Sequence, residues 1–156
     1  MNLYAFLKTL HVLSATLMVG TGFGTAFYLF WANRSRSVAA QAVVATWVVK
    51  ADLWFTLPTV VVQPVTGAWM MLLSGWTLDM MWIYAAIALY CLAGACWLPV
   101  VWLQLQMRNL ACIAYHAGES ELPAIYRTYQ KYWERLGYPA FVAMLAVYFL
   151  MVMKPM

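Results

Sequence analysis

The stretch KTLHVLSATLMVGTGFG, which runs from Lys8 to Gly24, is almost entirely apolar and yet contains a histidine. It lies within a longer apolar run over residues 3–31, and a helix needs roughly 20 such residues to cross a bilayer. Because only helices and closed barrels span lipid, this run predicts a first transmembrane helix. An ionisable side chain inside such a helix is expected to face the interior of a bundle and to serve a function, so His11 is the leading candidate for a site.

The composition of the whole chain indicates an integral membrane protein. Hydrophobic residues make up 66% of the sequence and the mean hydropathy is +0.75. Charged residues make up only 9%, against roughly 25% in a typical soluble domain. Aromatic residues reach 17%, which suits a protein with aromatic belts at both membrane interfaces. The net charge of +4 forms no basic stripe, so we expect the lipid bilayer and not a nucleic acid as partner.

Three further apolar runs are long enough to cross the membrane. Together with the first they predict transmembrane helices over residues 3–31, 42–73, 80–106 and 133–153. Residues 107–132 predict a helical connector that lies outside the bilayer. The expected fold is therefore an all-α integral membrane protein, a four-transmembrane-helix bundle that forms a single domain over residues 1–156.

Basic residues are unevenly distributed among the connectors. The first and third connectors contain Arg34, Arg36, Arg108, Arg127 and Lys131, whereas the second contains no lysine or arginine. Cytoplasmic loops carry the excess of basic residues. This pattern predicts that the first and third connectors are cytoplasmic and that both termini lie outside, in the periplasm. The expected location is the bacterial inner membrane, which the chain crosses several times.

The helical face that carries His11 is largely made of small residues. Its other members, at spacings of three and four, are Lys8, Ser14, Ala15, Met18 and Gly22. A neutral imidazole is the usual transition-metal ligand, and a flat heme needs a low wall beside such a ligand. The alternative is that His11 joins two helices by a hydrogen bond. Lys8 is expected either to extend towards the outer headgroups or to pair with a heme propionate.

Two further features concern the contacts of the first two helices. Gln63 precedes Pro64 within the second helix, at a depth close to that of His11. It is expected either to bind a backbone carbonyl freed by the proline or to orient a ligand. Thr16, Gly20 and Gly24 form a row of small residues, the pattern of close helix–helix contact.

Methionines near the outer ends of the helices indicate a second kind of metal chemistry. Thioethers are soft ligands that suit Cu(I), so His11 with Met80 and Met81 forms an alternative copper site. The competing interpretation is that these methionines fill apolar space at helix ends.

Several stretches resemble a known group of membrane proteins. LKTLHVLSATLMVGTG, DLWFTLPTVVVQPVTGAWMML and CWLPVVWLQLQMR resemble a bacterial inner-membrane branch, of unknown function, in the copper-resistance-protein-D-like superfamily. A more distant similarity is to the heme-containing, four-helix protoporphyrinogen IX oxidase. Its first-helix Lys-x-x-His corresponds to Lys8 and His11, and its second-helix proline and glycine correspond to Pro58 and Gly67. This resemblance implies that His11 is an axial ligand of heme b.

The expected function is therefore that of a b-type heme protein for electron transfer or redox chemistry, which includes a membrane heme oxidoreductase. Quinone or a porphyrin is the expected redox partner. Cu(I) handling through His11 and the methionines is one alternative. A non-catalytic accessory subunit or scaffold is another, and it would form a homo-oligomer or join a larger membrane complex through Gly20 and Gly24.

Overall fold

The computed structural model describes residues 2–154, and every regular element in that part of the chain is helical. The α-helices are α1 (Leu3–Ser35), α2 (Val38–Ala51), α3 (Leu57–Ser74), α4 (Met81–His116) and α5 (Ala124–Met153). A π-helical turn, Asp52–Thr56, joins α2 directly to α3. Four segments are long and apolar enough to cross a membrane: α1, the continuous Val38–Ser74, α4 and α5. The predicted four-span, all-α fold is confirmed.

The helices run up, down, up and down, so the bundle has two distinct ends. We call the end with the α1–α2 turn and the α4–α5 connector the connector end. We call the other end the terminal end. It carries the α3–α4 connector and the ends of α1 and α5 nearest the chain termini. At the connector end, α1 stops at Arg36, whose φ is 56°, and Ser37 caps α2 by accepting a hydrogen bond from the Ala40 amide.

Helices α4 and α5 extend well beyond the predicted spans at the connector end. α4 continues to His116 and is followed by Gly118 with a φ of 69°, while α5 begins at Ala124 instead of near residue 133. The predicted helical connector is therefore largely the end of α4 and the start of α5. These polar extensions stay helical because they pack against each other around Met107 and Tyr126, which are almost completely buried.

The π-helical turn divides the second span, which the sequence predicted as one continuous helix. Pro58 lies in the first turn of α3 and has no N–H to donate, which weakens the regular hydrogen-bond ladder at this point. The Leu57 amide donates to the Asp52 carbonyl, five residues back. On either side of this turn the packing differs, because α2 lies against α1 and α4 whereas α3 lies mainly against α1.

Towards the terminal end the bundle separates into two pairs of helices. α1 packs with α3 and α4 packs with α5, whereas α1 and α5 touch only slightly. One contact between the pairs is a stack of Phe23 on Phe141, whose ring centroids are 5.0 Å apart. Gly20 and Gly24 do not join helices of this chain, since a Cβ atom added at either would meet nothing within 4 Å. The predicted close contact at these glycines is therefore wrong within the chain.

Candidate functional site

His11 is held against α3 by side-chain contacts. Its Nδ1 atom lies 2.8 Å from Oγ1 of Thr66. Its backbone carbonyl accepts a hydrogen bond of 2.7 Å from Nε2 of Gln63. His11 itself is half-buried, whereas Thr66 and Gln63 are buried between the two helices. The imidazole and the backbone that carries it are thus both fixed by one face of α3.

The hydrogen bonds of Thr66 determine which imidazole nitrogen carries the proton. Oγ1 of Thr66 lies 2.7 Å from the carbonyl oxygen of Val62, to which it donates its single hydrogen. The Thr66 oxygen can then only accept from His11, so the imidazole carries its hydrogen on Nδ1. Nε2 retains its lone pair, and no hydrogen bond to this atom is found within residues 2–154. A second group that fixes the tautomer in this way is characteristic of histidines that bind metals.

Gly67 provides the surface on which the imidazole rests. A Cβ atom at this position would lie 3.4 Å from Cε1 of His11 and 3.9 Å from Nδ1. Thr66 and Gly67 lie three and four residues after Gln63, so each shares a face of α3 with Gln63. Thr66 was not among the predicted site residues, and its spacing of three from Gln63 on the same helix was the signal that could have identified it.

The remaining residues of the predicted heme wall lie in different surroundings. Ser14 is buried in the contact with α3, where its hydroxyl donates to the Thr59 carbonyl at 3.4 Å. Lys8 is exposed and Ala15 is half-buried. Met18 and Gly22 lie further along α1, where Gly22 borders a cavity described below. The small face of α1 is therefore not one continuous wall beside His11.

Pro64 does free a backbone carbonyl, but Gln63 does not bind it. A proline lacks the N–H that would donate to the carbonyl four residues earlier, which here belongs to Val60. The hydroxyl of Tyr90 on α4 donates to that carbonyl at 2.7 Å. The first alternative predicted for Gln63 is thus wrong, and its amide contacts the backbone of His11 instead.

Met80 and Met81 lie at the start of α4, and the side chain of Met81 is 74% exposed. α4 packs with α2 and α5 and not closely with α1, the helix that carries His11. Within residues 2–154, no group of three or more His, Cys, Asp and Glu side chains is arranged to hold a metal ion. Copper binding at His11 stays a prediction.

A cavity of about 550 Å³ lies between the two helix pairs. Its walls are mostly apolar and include the aromatic residues Phe23, Phe27, Phe30, Trp31, Tyr90, Trp97, Trp133, Tyr138 and Phe141. Large apolar cavities with a few convergent polar groups are the usual form of small-molecule sites. His11 does not border this cavity, so the bundle contains two separate candidate sites.

Polar groups of the cavity lie towards its connector end. Asp52 and Thr56 come from the π-helical turn, and the Thr56 hydroxyl donates to the Asp52 carboxylate at 2.8 Å. Gln104 and Trp133 also border the cavity, and both side chains are buried. Oε1 of Gln104 and Nε1 of Trp133 have no hydrogen-bond partner within the described residues. Such orphaned groups are costly in an apolar interior.

The charged residues that line the cavity are acidic. Asp52 and Glu134 are its ionisable carboxylates, of which Glu134 is paired with Arg34, and no lysine or arginine borders the cavity itself. A ligand with a carboxylate or phosphate would have to leave water for a site without a countercharge, which is strongly unfavourable. The cavity therefore suits neutral or cationic lipid-soluble molecules.

The fold and these sites define a small integral membrane protein with four spanning segments and a histidine fixed between the first two. The chain belongs to the family described as "Predicted integral membrane protein (DUF2269)", whose model matches residues 5–155. Comparison with curated proteins finds no match. Comparison with solved structures finds none either. The similarity to a heme-containing oxidase stays a prediction.

Proposed function

We propose that the protein binds heme b within the membrane, with Nε2 of His11 as an axial ligand. The observation that carries this proposal is the hydrogen-bond chain from His11 through Thr66 to the Val62 carbonyl. This chain leaves a neutral imidazole with its lone pair on Nε2, which has no hydrogen-bond partner within residues 2–154. An oriented, neutral imidazole is a common protein donor to heme iron.

The residues around His11 fit this role in four ways. Thr66 fixes the tautomer, and Gln63 holds the backbone of α1 in register with α3. Gly67 leaves room for the ring against α3. Lys8 lies one turn nearer the terminal end and is exposed, so its ammonium can meet a carboxylate at the membrane surface. The bound heme would supply one-electron redox chemistry.

The second axial position belongs to a group other than a histidine of the same chain. The sequence has two histidines, and His116 ends α4 at the opposite end of the bundle. A second copy of the chain would bring another His11, and the exposed row of Gly20 and Gly24 is available for a contact between chains. A homo-oligomer is therefore part of this proposal.

The redox partner in this proposal is a hydroquinone, a lipid-soluble aromatic diol, bound in the cavity. Aromatic walls stack on a flat ring, and the absence of a lining cation disfavours the carboxylates of a porphyrin. A hydroxyl group both donates and accepts, which complements the unpartnered Gln104 oxygen and the Trp133 N–H. The cavity reaches Met18, about 10 Å along α1 from His11, so the two sites are near neighbours.

We propose that the orientation of the protein in the membrane follows the distribution of its basic residues. The basic connector end faces the cytoplasm of a bacterial cell, and His11 lies towards the periplasmic side of the inner membrane.

Optical spectroscopy tests the heme proposal. The full chain is expressed with a heme precursor, purified in detergent and compared in its reduced and oxidised states. A Soret band that is lost in His11→Ala and retained in His116→Ala supports the proposal. A heme-free wild type, or an unchanged spectrum in His11→Ala, contradicts it. Cu(I) binding that requires His11, Met80 and Met81 in a chain without heme would favour the copper alternative.

A further inference from the structure

A second cavity, of about 420 Å³, opens at the connector end of the bundle. It lies between the turn that joins α1 to α2 and the start of α5. Four of its lining residues are basic, and they are Arg34, Arg36, Arg127 and Lys131. One lining residue, Glu121, is acidic. All five of these charged residues are exposed, so the cavity offers accessible positive charge to an incoming ligand.

The basic residues of this cavity differ in whether they already form an ion pair. Arg34 forms a 3.3 Å ion pair with Glu134 and also lies over the ring of Phe30. Arg36, Arg127 and Lys131 form no ion pair within residues 2–154. Three cations therefore remain for a ligand, and the single carboxylate of Glu121 does not balance them. This excess of positive charge favours an anion.

Two helix N-termini lie beside the same cavity, which the end of α1 also borders. Arg36 and Gln41 border the cavity on either side of the start of α2, and residues 120–122 border it just before α5 begins. The residue at the N-cap of α5 is Pro123, which provides no side-chain hydrogen bond to the first turn. Free N–H groups at the N-terminus of a helix attract phosphates and other anions.

A buried donor of Asn33 that has no acceptor is independent evidence for a bound anion. Its side chain borders the cavity and is buried, with an exposed fraction of 6% for the residue. The hydroxyl of Tyr126 donates to Oδ1 of Asn33 at 2.6 Å, which fixes the orientation of the amide. Nδ2 of the same amide has no partner within the described residues. A buried donor of this kind requires an acceptor oxygen, which a bound anion would provide.

We propose that this cavity binds a phosphate group, held by Arg36, Arg127 and Lys131 and by the N-terminus of α5. The phosphate can belong to a lipid headgroup or to a soluble molecule. Its position favours the lipid, because the exposed Trp31 and Phe27 lie one and two turns from the cavity on the membrane-facing part of α1. Basic cavities between spanning helices are a known form of anionic lipid site. This proposal does not depend on heme at His11.

Binding to the purified full chain separates the two sources of phosphate. The probes are short-chain phosphatidylglycerol, short-chain phosphatidylcholine and inorganic phosphate, each titrated in neutral detergent and followed by native mass spectrometry. Selective binding of phosphatidylglycerol, weakened by salt, supports a lipid site. Equally tight binding of inorganic phosphate supports the same site with a soluble ligand.

A charge-matched pair of variants decides whether the cavity is responsible. Arg36→Gln with Arg127→Gln removes two cavity cations and is expected to weaken binding at least about tenfold, since each charge-assisted hydrogen bond contributes on that scale. Arg108→Gln, combined with Arg135→Gln, removes two positive charges from the same end of the bundle outside the cavity lining and serves as the control. Equal losses in both double variants, or no binding of either phosphate probe by the wild type, would overturn the proposal.

Discussion

Nδ1 of His11 and Oγ1 of Thr66 lie 2.8 Å apart across the contact between α1 and α3. Since the Thr66 hydrogen is already donated to its own helix, this contact sets the proton on Nδ1 and leaves Nε2 free. One threonine thus connects the packing of two spanning helices to the chemistry of the imidazole. Removal of the hydroxyl should change that chemistry without removing the histidine.

Thr66→Val replaces the hydroxyl by a methyl group of similar size. Nδ1–H of His11 then loses its acceptor, and loss of such an outer partner typically lowers metal affinity about 10–100-fold. We expect weaker heme retention and a shifted reduction potential, measured by heme titration and redox titration of the purified chain. Thr9→Val is the matched control, because its hydroxyl bonds only to the Ala5 carbonyl of the same helix. Identical behaviour of the two variants would show that Thr66 does not act through His11.

Gly67 controls how closely the imidazole approaches α3. A Cβ atom 3.4 Å from Cε1 of His11 would be just accommodated, so Gly67→Ala is expected to shift the heme spectrum slightly and to retain binding. Gly67→Leu adds a branched side chain that must displace the ring, and it is expected to abolish heme binding. Ala68→Leu is the control, because Ala68 follows Gly67 on α3 and is exposed. Normal heme binding in Gly67→Leu would contradict the assigned role.

Tyr90 compensates for the missing hydrogen bond of Pro64. Its hydroxyl is the donor to the Val60 carbonyl, so Tyr90→Phe leaves a buried acceptor without a partner and should lower the free energy of unfolding by ~1–2 kcal/mol. Pro64→Ala restores a backbone N–H to that carbonyl, so the same Tyr90→Phe change should be less costly in its presence. Unfolding in mixed detergent micelles measures both effects as a double-mutant cycle.

A control for this cycle is Tyr84→Phe, because Tyr84 is 68% exposed on the same helix. We expect no measurable change in unfolding free energy for this variant. Additive effects of Tyr90→Phe and Pro64→Ala would mean that the tyrosine and the proline act independently, which the hydrogen bond to Val60 does not allow.

The sequence predicted the four spans, but it did not predict the surroundings of His11. Apolar length alone identifies a spanning helix, and an imidazole within one is conspicuous. Its partner Thr66 is 55 positions away, and no local pattern fixes the register of α1 against α3. The π-helical turn within the second span and the cavity beside it depend on how α2 and α3 pack against different neighbours, which no local pattern fixes either.

The cavity at this turn should distinguish a hydroquinone from close relatives of the same shape. A hydroxyl group can donate to Oε1 of Gln104 and accept from Nε1 of Trp133, whereas a quinone carbonyl can only accept and a methyl ether cannot donate. We therefore expect a short-chain hydroquinone to bind more tightly than its quinone, and its dimethyl ether to bind least. Quenching of tryptophan fluorescence in heme-free protein measures all three affinities.

Substitutions in the cavity lining test the same preference for hydroquinone. Gln104→Leu removes the free acceptor and is expected to reduce the preference for hydroquinone over its dimethyl ether about tenfold, because a buried polar pair is replaced by an apolar contact. Gln106→Leu, on the same helix but outside the cavity lining, should leave that preference unchanged. Tighter binding of the dimethyl ether than of hydroquinone would contradict the proposed hydroquinone site. Binding of tetraphenylphosphonium with no binding of hydroquinone would instead assign the cavity to a lipophilic cation held by Asp52.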